Sequence, residues 1–251
     1  GPDGRGKAIA NLVSMEEGEH IAALLAVREF PEEDGRQFIV MGTRHGVIKK
    51  TDLTAFRNPR SGGIIAMGVE EGDSVMAVAM TSAGDEIFIG TRDGMAIRFP
   101  ESDARSMGRT AYGVRGITLR DGDEVVAMEV VRPGGTLLTV TENGYGKRTE
   151  LDEYRLQSRG GLGIINIQTT DRNGRVVGVS HVSVRDELML ITQQGKVIRM
   201  AAEGIRTIGR ATQGVRLIEI EENDKVVSIA RLEDEGEEGN STETPPGSGG
   251  E

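Results

Sequence analysis

Thr141-Glu142-Asn143-Gly144-Tyr145-Gly146-Lys147-Arg148 decides the fold, because its frame of Thr, Gly three residues on and a basic residue seven on occurs four times. The other copies run from Thr43 through Gly46 to Lys50, from Thr91 through Gly94 to Arg98, and from Thr192 through Gly195 to Arg199. The anchor glycines are 48, 50 and 51 residues apart. An apolar, β-rich run precedes each frame (Phe38 to Met41, Ile87 to Ile89, Leu137 to Val140, Leu188 to Ile191), and Asn-Gly or Asp-Gly at a bend is a strong hairpin signal. Each unit therefore reads as a strand, a two-residue turn and a second strand ending in positive charge.

The rest of each unit is equally regular: a basic or glycine-rich loop, a Gly-x-x-apolar element, an acidic turn and a Val/Ile/Met-rich strand. Gly116-Ile117 leads to Asp121-Gly122-Asp123 and Val125 to Met128, and Gly163-Ile164-Ile165 leads to Asn173-Gly174 and Val176 to Val179. A first half-copy starts at Gly6-Lys7-Ala8-Ile9, with Glu17-Gly18-Glu19 as its turn, and the last such element, Gly214-Val215-Arg216 to Val226, has no hairpin after it. Four complete repeats and a half of about 50 residues follow, with no helical period. Such short sheets cannot bury both faces alone, so the expected class is all-β, with blades set radially and covering one another. The expected divisions are residues 1–232 for this array and 233–251 for a disordered acidic tail without apolar residues.

No cysteine is present, which excludes disulfides and thiolate metal sites and suits a reducing cytosol. No apolar run approaches the roughly 18 residues of a membrane span. The start, Gly1-Pro2-Asp3-Gly4, is neither a signal peptide nor an initiator Met and reads as a fragment or processed piece. The net charge of −10 averages regions of opposite sign. Four windows at one phase of the repeat (43–62, 92–116, 147–160 and 196–216) hold 19 basic against 8 acidic residues, whereas the tail holds seven acids and no base.

Three weaker signals have plain explanations. Gly1 to Ala8 approaches a phosphate loop but has Ala8 where a hydroxyl is needed, His20, His45 and His181 fall at different phases, and paired acids such as Glu71/Asp73 and Asp121/Asp123 fit turn chemistry. The basic windows resist such a reading, since a solvated face does not explain charge recurring at one phase. The candidates are Lys49, Lys50, Arg57 and Arg60; Arg98, Arg105, Arg109 and Arg115; Lys147, Arg148, Arg155 and Arg159; and Lys196, Arg199, Arg206, Arg210 and Arg216. Stacked repeats would line them into a belt along the outer edges, suited to phosphates. Aromatics at 3% without Trp favour duplex backbone over stacked single strands.

Phe56-Arg57 to Ile64, Met107-Gly108-Arg109 to Val114-Arg115-Gly116-Ile117, Glu142 to Thr149, and Gly209-Arg210 to Thr212-Gln213-Gly214-Val215-Arg216-Leu217 closely resemble the C-terminal domain of the A chain of bacterial DNA gyrase, over essentially residues 5–232. The resemblance implies a β-pinwheel, a propeller-like array whose hairpin arms pass to the neighbouring blade. It also implies wrapping of double-stranded DNA as part of an ATP-dependent topoisomerase that introduces negative supercoils. Implied partners are DNA, the rest of the gyrase A polypeptide and the gyrase B polypeptide in the bacterial cytoplasm, with no membrane. No cofactor is implied for this chain, ATP and Mg²⁺ acting elsewhere, and neither is a catalytic residue. The family's Q-R-R-G-G-[KR]-G box is matched only by the box-like loop Gln157, Ser158, Arg159, Gly160, Gly161, Leu162 and Gly163, with Ser158 and Leu162 in place of basic residues. The chain is expected to begin inside the family's second blade, without the true box. Alternatives are the equivalent domain of topoisomerase IV and a propeller-type protein-interaction module that does not bind DNA.

Overall fold

The computed structural model describes residues 8–16, 18–27, 35–56 and 64–232; Arg57, Arg60, the Gly1 to Lys7 stretch and the acidic tail lie outside the described residues. β1 (Ala8–Glu16) and β2 (Gly18–Val27) form an antiparallel hairpin. Four repeats of identical order follow. The first holds β3 (Gln37–Thr43), β4 (Val47–Asp52), β5 (Ile64–Gly68) and β6 (Val75–Ser82). The second holds β7 (Glu86–Thr91), β8 (Met95–Pro100), β9 (Val114–Arg115) and β10 (Val125–Val131). The third holds β11 (Thr136–Thr141), β12 (Tyr145–Glu150), β13 (Ile164–Ile165) and β14 (Val176–Val182). The last holds β15 (Glu187–Thr192), β16 (Val197–Ala201), β17 (Val215–Arg216) and β18 (Val226–Leu232). A short 3₁₀ turn follows the second strand of each repeat (Leu53–Phe56, Glu101–Asp103, Leu151–Glu153, Ala202–Gly204).

The sheets do not coincide with the repeats. Their strand orders are β2-β1-β5, β6-β3-β4-β9, β10-β7-β8-β13, β14-β11-β12-β17 and β16-β15-β18. The third strand of every repeat thus leaves its own sheet and pairs with the preceding hairpin, Val114 and Arg115 with Ile48 and Val47, Ile164 and Ile165 with Ala96 and Met95. This exchange makes the propeller-like array a pinwheel, as expected.

The hairpin loops differ from the expected two-residue turn. Strand ends leave three residues between, such as Arg92, Asp93 and Gly94, and Gly94 N–H donates to Thr91 C=O at 3.1 Å. A two-residue type I′ turn needs positive φ at two positions, and no described residue other than glycine has it. Gly94, at φ 91°, instead supplies the left-handed residue that closes a three-residue loop. The frame threonine completes it from inside: buried Thr43 and Thr91 hydroxyls accept the Val47 and Met95 amides at 3.1 and 3.0 Å. Asp73 and Asp123 then brace the loops from outside, each carboxylate accepting a tip amide (His45 or Asp93) at 3.0 Å. The turn acids are structural, as their chemistry predicts.

The core lies between blades. Strand alternation points Ile87 and Ile89 back to Val40 and Ile48, and points Phe88 forward to Leu137, Val176 and Tyr154, whose ring meets it edge-on at 5.1 Å. The β10-β7-β8-β13 sheet is therefore apolar on both faces and needs two neighbours to be dry. β2, β6, β10, β14 and β18 pack in succession along the inside. Strands β6, β10, β14 and β18 line a cavity of about 410 Å³ with Met76, Met128, Glu129, Ser180 and Arg231 on its wall, where burial pushes Glu129 up to about 7 against Arg231 and its hydrogen bonds.

Candidate nucleic-acid interface

Among the described residues the outer rim is built by segments 104–113, 154–163 and 205–214, each between a 3₁₀ turn and the exchanged strand. Ser106, Leu156 and Thr207 run parallel to the preceding hairpin, bridging to Lys50, Arg98 and Arg148. Successive segments are then joined to one another. Gly160 N–H donates to Gly116 C=O at 2.8 Å, Thr118 N–H to Gly161 C=O at 2.9 Å, and Gln168 N–H to Thr212 C=O at 2.9 Å. Among the described residues the rim segments of the second, third and fourth repeats are thus tied together by backbone hydrogen bonds into one strip.

Arg105, Arg109, Arg115, Arg155, Arg206 and Arg216 are exposed on this strip, and Arg159 and Arg210 are half-exposed. Lys196 and Arg199 are exposed on β16 and its hairpin loop, each paired with a carboxylate, Glu221 and Glu187. Glu221 also draws the Lys196 ammonium above its ordinary value. Tyr112 is the one exposed aromatic among the described residues.

A second group of expected phosphate contacts turns inward, which corrects the sequence reading. Lys49 and Lys147 are 1% and 0% exposed, and Lys50 and Arg148 are also buried. Lys50 Nζ meets Glu101 Oε2 at 2.6 Å, and Arg148 Nε donates to Ile205 C=O at 2.8 Å. Arg98, in the same register, pairs with Glu86 at 2.5 Å and donates to Tyr154 C=O at 2.8 Å. In the first three repeats the basic residue that ends the frame thus reaches a carbonyl in the next repeat's 3₁₀ turn or on the residue after it. Lys49 donates to the Gly108 and Arg109 carbonyls at 3.1 and 2.5 Å, and Lys147 to those of Asn166, Gly209 and Arg210 at 2.7, 2.7 and 2.6 Å. Burial, followed by the nearby Arg109 charge, lowers Lys49 to about 7; burial also lowers Lys147, to about 8, with Glu153 opposing and Arg210 assisting.

The box-like loop is anchored rather than free. Arg159 Nη1 donates to Arg115 C=O at 2.9 Å and its Nε to Asp103 C=O at 3.1 Å, while Gln157 Oε1 receives Arg155 Nε at 3.1 Å. Ser158 is exposed, as is Leu162. Gly163 lets this backbone lie against its neighbour, since a Cβ there would strike the Ala96 carbonyl. Arg172 was outside the sequence candidates. Its Nε and Arg216 Nη2 both donate to the Tyr145 hydroxyl, at 3.1 and 3.0 Å, and hold that phenol below its ordinary value. No sequence signal marks it, since it sits in an acidic turn 27 residues from Tyr145.

Among the described residues no group of three His, Cys, Asp or Glu could hold a metal ion, and no helix is long and apolar enough to cross a membrane. A family profile described as "DNA gyrase C-terminal domain, beta-propeller" matches residues 37–82, 85–132, 135–183 and 186–233, which are the four repeats. The chain is 45% identical over 236 residues to the DNA gyrase A polypeptide of Kosmotoga olearia, covering 93% of this chain and 29% of that protein. It is 42% identical over 228 residues to the DNA gyrase A polypeptide of Haloquadratum walsbyi, covering 90% and 27%. The chain therefore spans little more than a quarter of these relatives. Among solved structures, a DNA gyrase A C-terminal domain superposes with TM-score 0.75 at 25% identity, over 87% of this chain and 72% of the other. The C-terminal domain of a DNA topoisomerase IV superposes with TM-score 0.79 at 25% identity, over 87% and 68%.

Proposed function

This chain belongs to the DNA gyrase C-terminal domain family, and from that premise we propose that it binds duplex DNA on its rim and wraps it, as the corresponding part of a gyrase A polypeptide. The observation that carries this reading is the hydrogen-bonded strip bearing Arg105, Arg109, Arg115, Arg155, Arg159, Arg206, Arg210 and Arg216. Guanidinium groups on a fixed strip suit a row of phosphates. With Tyr112 as the one exposed aromatic among the described residues, stacking of single-stranded bases has little to rest on. Binding is accordingly to backbone, tolerant of sequence and strongly salt-dependent. Eight phosphate contacts give log K against log salt a slope of about −7. Anisotropy titrations with duplexes of unrelated sequence test this, and a slope near −2 or a preference for one sequence sinks it.

In the whole enzyme, wrapping presents a DNA segment for strand passage, so that ATP hydrolysis with the gyrase B polypeptide introduces negative supercoils. ATP, Mg²⁺ and strand cleavage are assigned to parts outside this chain. The equivalent domain of topoisomerase IV is a second reading, favoured by the superposition at TM-score 0.79 alone, whereas the relatives at 42% and 45% identity are gyrase polypeptides. Reconstituting the parent polypeptide with its ATP-hydrolysing partner on relaxed plasmid separates the two: gyrase supercoils it negatively and topoisomerase IV does not.

A further inference from the structure

Two of the buried cations follow a pattern of their own. Lys49 and Lys147 stand six residues after the frame threonine, and the rim segment facing each of them reads Gly-Arg, Gly108-Arg109 and Gly209-Arg210. In the sheet between them the same offset holds Ile97, and the facing segment reads Ser158-Arg159-Gly160-Gly161. Lysine faces Gly-Arg at both positions, and at the same register isoleucine faces Ser158-Arg159. The contacts explain the pairing, because each Nζ donates to the carbonyls of that glycine and that arginine across 59 to 63 residues of sequence. The segment facing Ile97 has no lysine donor and is instead held by the Arg159 guanidinium and the Gly160 amide, both on the Arg115–Gly116 backbone.

We propose that Lys49 and Lys147 are positioning residues of the rim: each ammonium, buried in one blade, clamps the backbone of a rim arginine supplied by the next repeat, Arg109 or Arg210, and so sets where that guanidinium meets a phosphate. The proposal rests on the reading that the rim binds duplex DNA.

The clamp depends on the proton. An ammonium has three N–H donors, and three carbonyls surround Lys147 Nζ. A neutral amine has two donors and turns a lone pair on the third carbonyl. The values of about 7 and about 8 place both protons in a range that can be reached without unfolding. Arg109 faces Lys49, and Glu153 and Arg210 face Lys147. Burial pushes the Tyr154 hydroxyl upward, and Glu129, raised to about 7 in the inner cavity, is told apart from the lysines by the double variant below. Global stability moves the other way. The folded values lie below the ordinary 10.5, so the unfolded chain holds these protons more tightly, and their contribution to stability rises from the folded values up to about 10.5. An effect on DNA that merely reported folding would therefore have the opposite sign.

The test is an anisotropy titration of the chain with labelled duplex at constant ionic strength from about pH 7 to 9, with unfolding followed in the same buffers. Lys49→Ile and Lys147→Ile, separately and together, introduce the residue the protein already accommodates at Ile97 and Ile198. Wild-type affinity is expected to fall about tenfold across the range, the equivalent of one charged hydrogen bond, without a fall in stability. The double variant binds about tenfold more weakly at pH 7, shows no pH dependence, and loses about 2 from the magnitude of the salt slope. A flat wild-type profile, or a double variant with wild-type slope and pH dependence, overturns the proposal. If the unmodified chain shows no steeply salt-dependent duplex binding, the functional reading has failed. The clamp is then judged by hydrogen exchange of the amides at 108–112 and 209–213, where protection unchanged in the variants overturns it.

Discussion

Strands β12 and β16 start from the same frame and end in different surroundings. In β12, Tyr145 through Thr149 are all buried, whereas β16 is exposed at every other residue, with Val197 60% and Arg199 67% accessible. The difference is the exchanged strand. β17 lies on β12, and the Gly144 carbonyl accepts the Leu217 and Ile218 amides at 2.8 and 3.3 Å, while among the described residues nothing pairs with the outer edge of β16. A hairpin of this family thus encodes half of its own burial, and the following repeat supplies the rest. Its energetics are those of a nearest-neighbour array.

The largest expected effect breaks the comparison at one offset. Ala96 and Val197 are equivalent, but Ala96 is fully buried beneath Ile164. Ala96→Glu leaves an uncompensated buried charge and destabilises by about 3–5 kcal/mol, whereas Val197→Glu stays within about 0.5 kcal/mol in urea unfolding. Equal losses would mean that the exchanged strand does not cover β8.

The anchor glycines sharpen the contrast. Gly144 and Gly195 both have positive φ, 81° and 87°, but a Cβ on Gly144 would lie 2.8 Å from the Ile218 carbonyl and one on Gly195 meets nothing. Gly195→Ala carries the conformational term alone, about 1–2 kcal/mol, and Gly144→Ala adds overpacking for a total of about 3 kcal/mol. Thermal midpoints of the two variants should separate accordingly, and coincident midpoints would refute the contact.

A smaller effect concerns the basic end of the frame. Arg148→Met removes a buried charged donor from the Ile205 carbonyl and costs about 2 kcal/mol, while Arg199→Met removes an exposed pair with Glu187 and costs at most about 1 kcal/mol. Hydrogen exchange of the 205–208 amides reads this locally: it should accelerate in the first variant and not in the second.

Most of the architecture was legible because its signals are local. The Thr-x-x-Gly frame encodes a hairpin through one hydroxyl and one left-handed residue, and the fixed spacing of the Gly-x-x-apolar elements gives the repeat. The loop length was misread because Asn143-Gly144 suits a two-residue turn equally well, and the choice falls to the threonine hydroxyl and the bracing carboxylates of the acidic turns. The rim was half legible. Periodicity gives the phase of a cation but not its radial direction, and Lys49 and Lys50 are adjacent residues that strand alternation would send to opposite faces. Both are buried because a segment some 50 to 60 residues downstream covers the outer face, a contact no local pattern records. Arg105, Arg109 and Arg155 lie on the covering segment itself and stay exposed.

The exchange of strands also has a consequence in time. The groups that bury β4, β8 and β12 lie 51 to 71 residues further along the chain. At about 5–20 residues per second, a ribosome takes roughly 3–14 s to deliver them. Each newly made hairpin therefore waits with an open, partly apolar edge, and the growing chain always carries one unfinished blade. In β16 and its loop that edge bears Arg199 and Lys196, and charge on an edge strand is what discourages pairing with a second nascent chain.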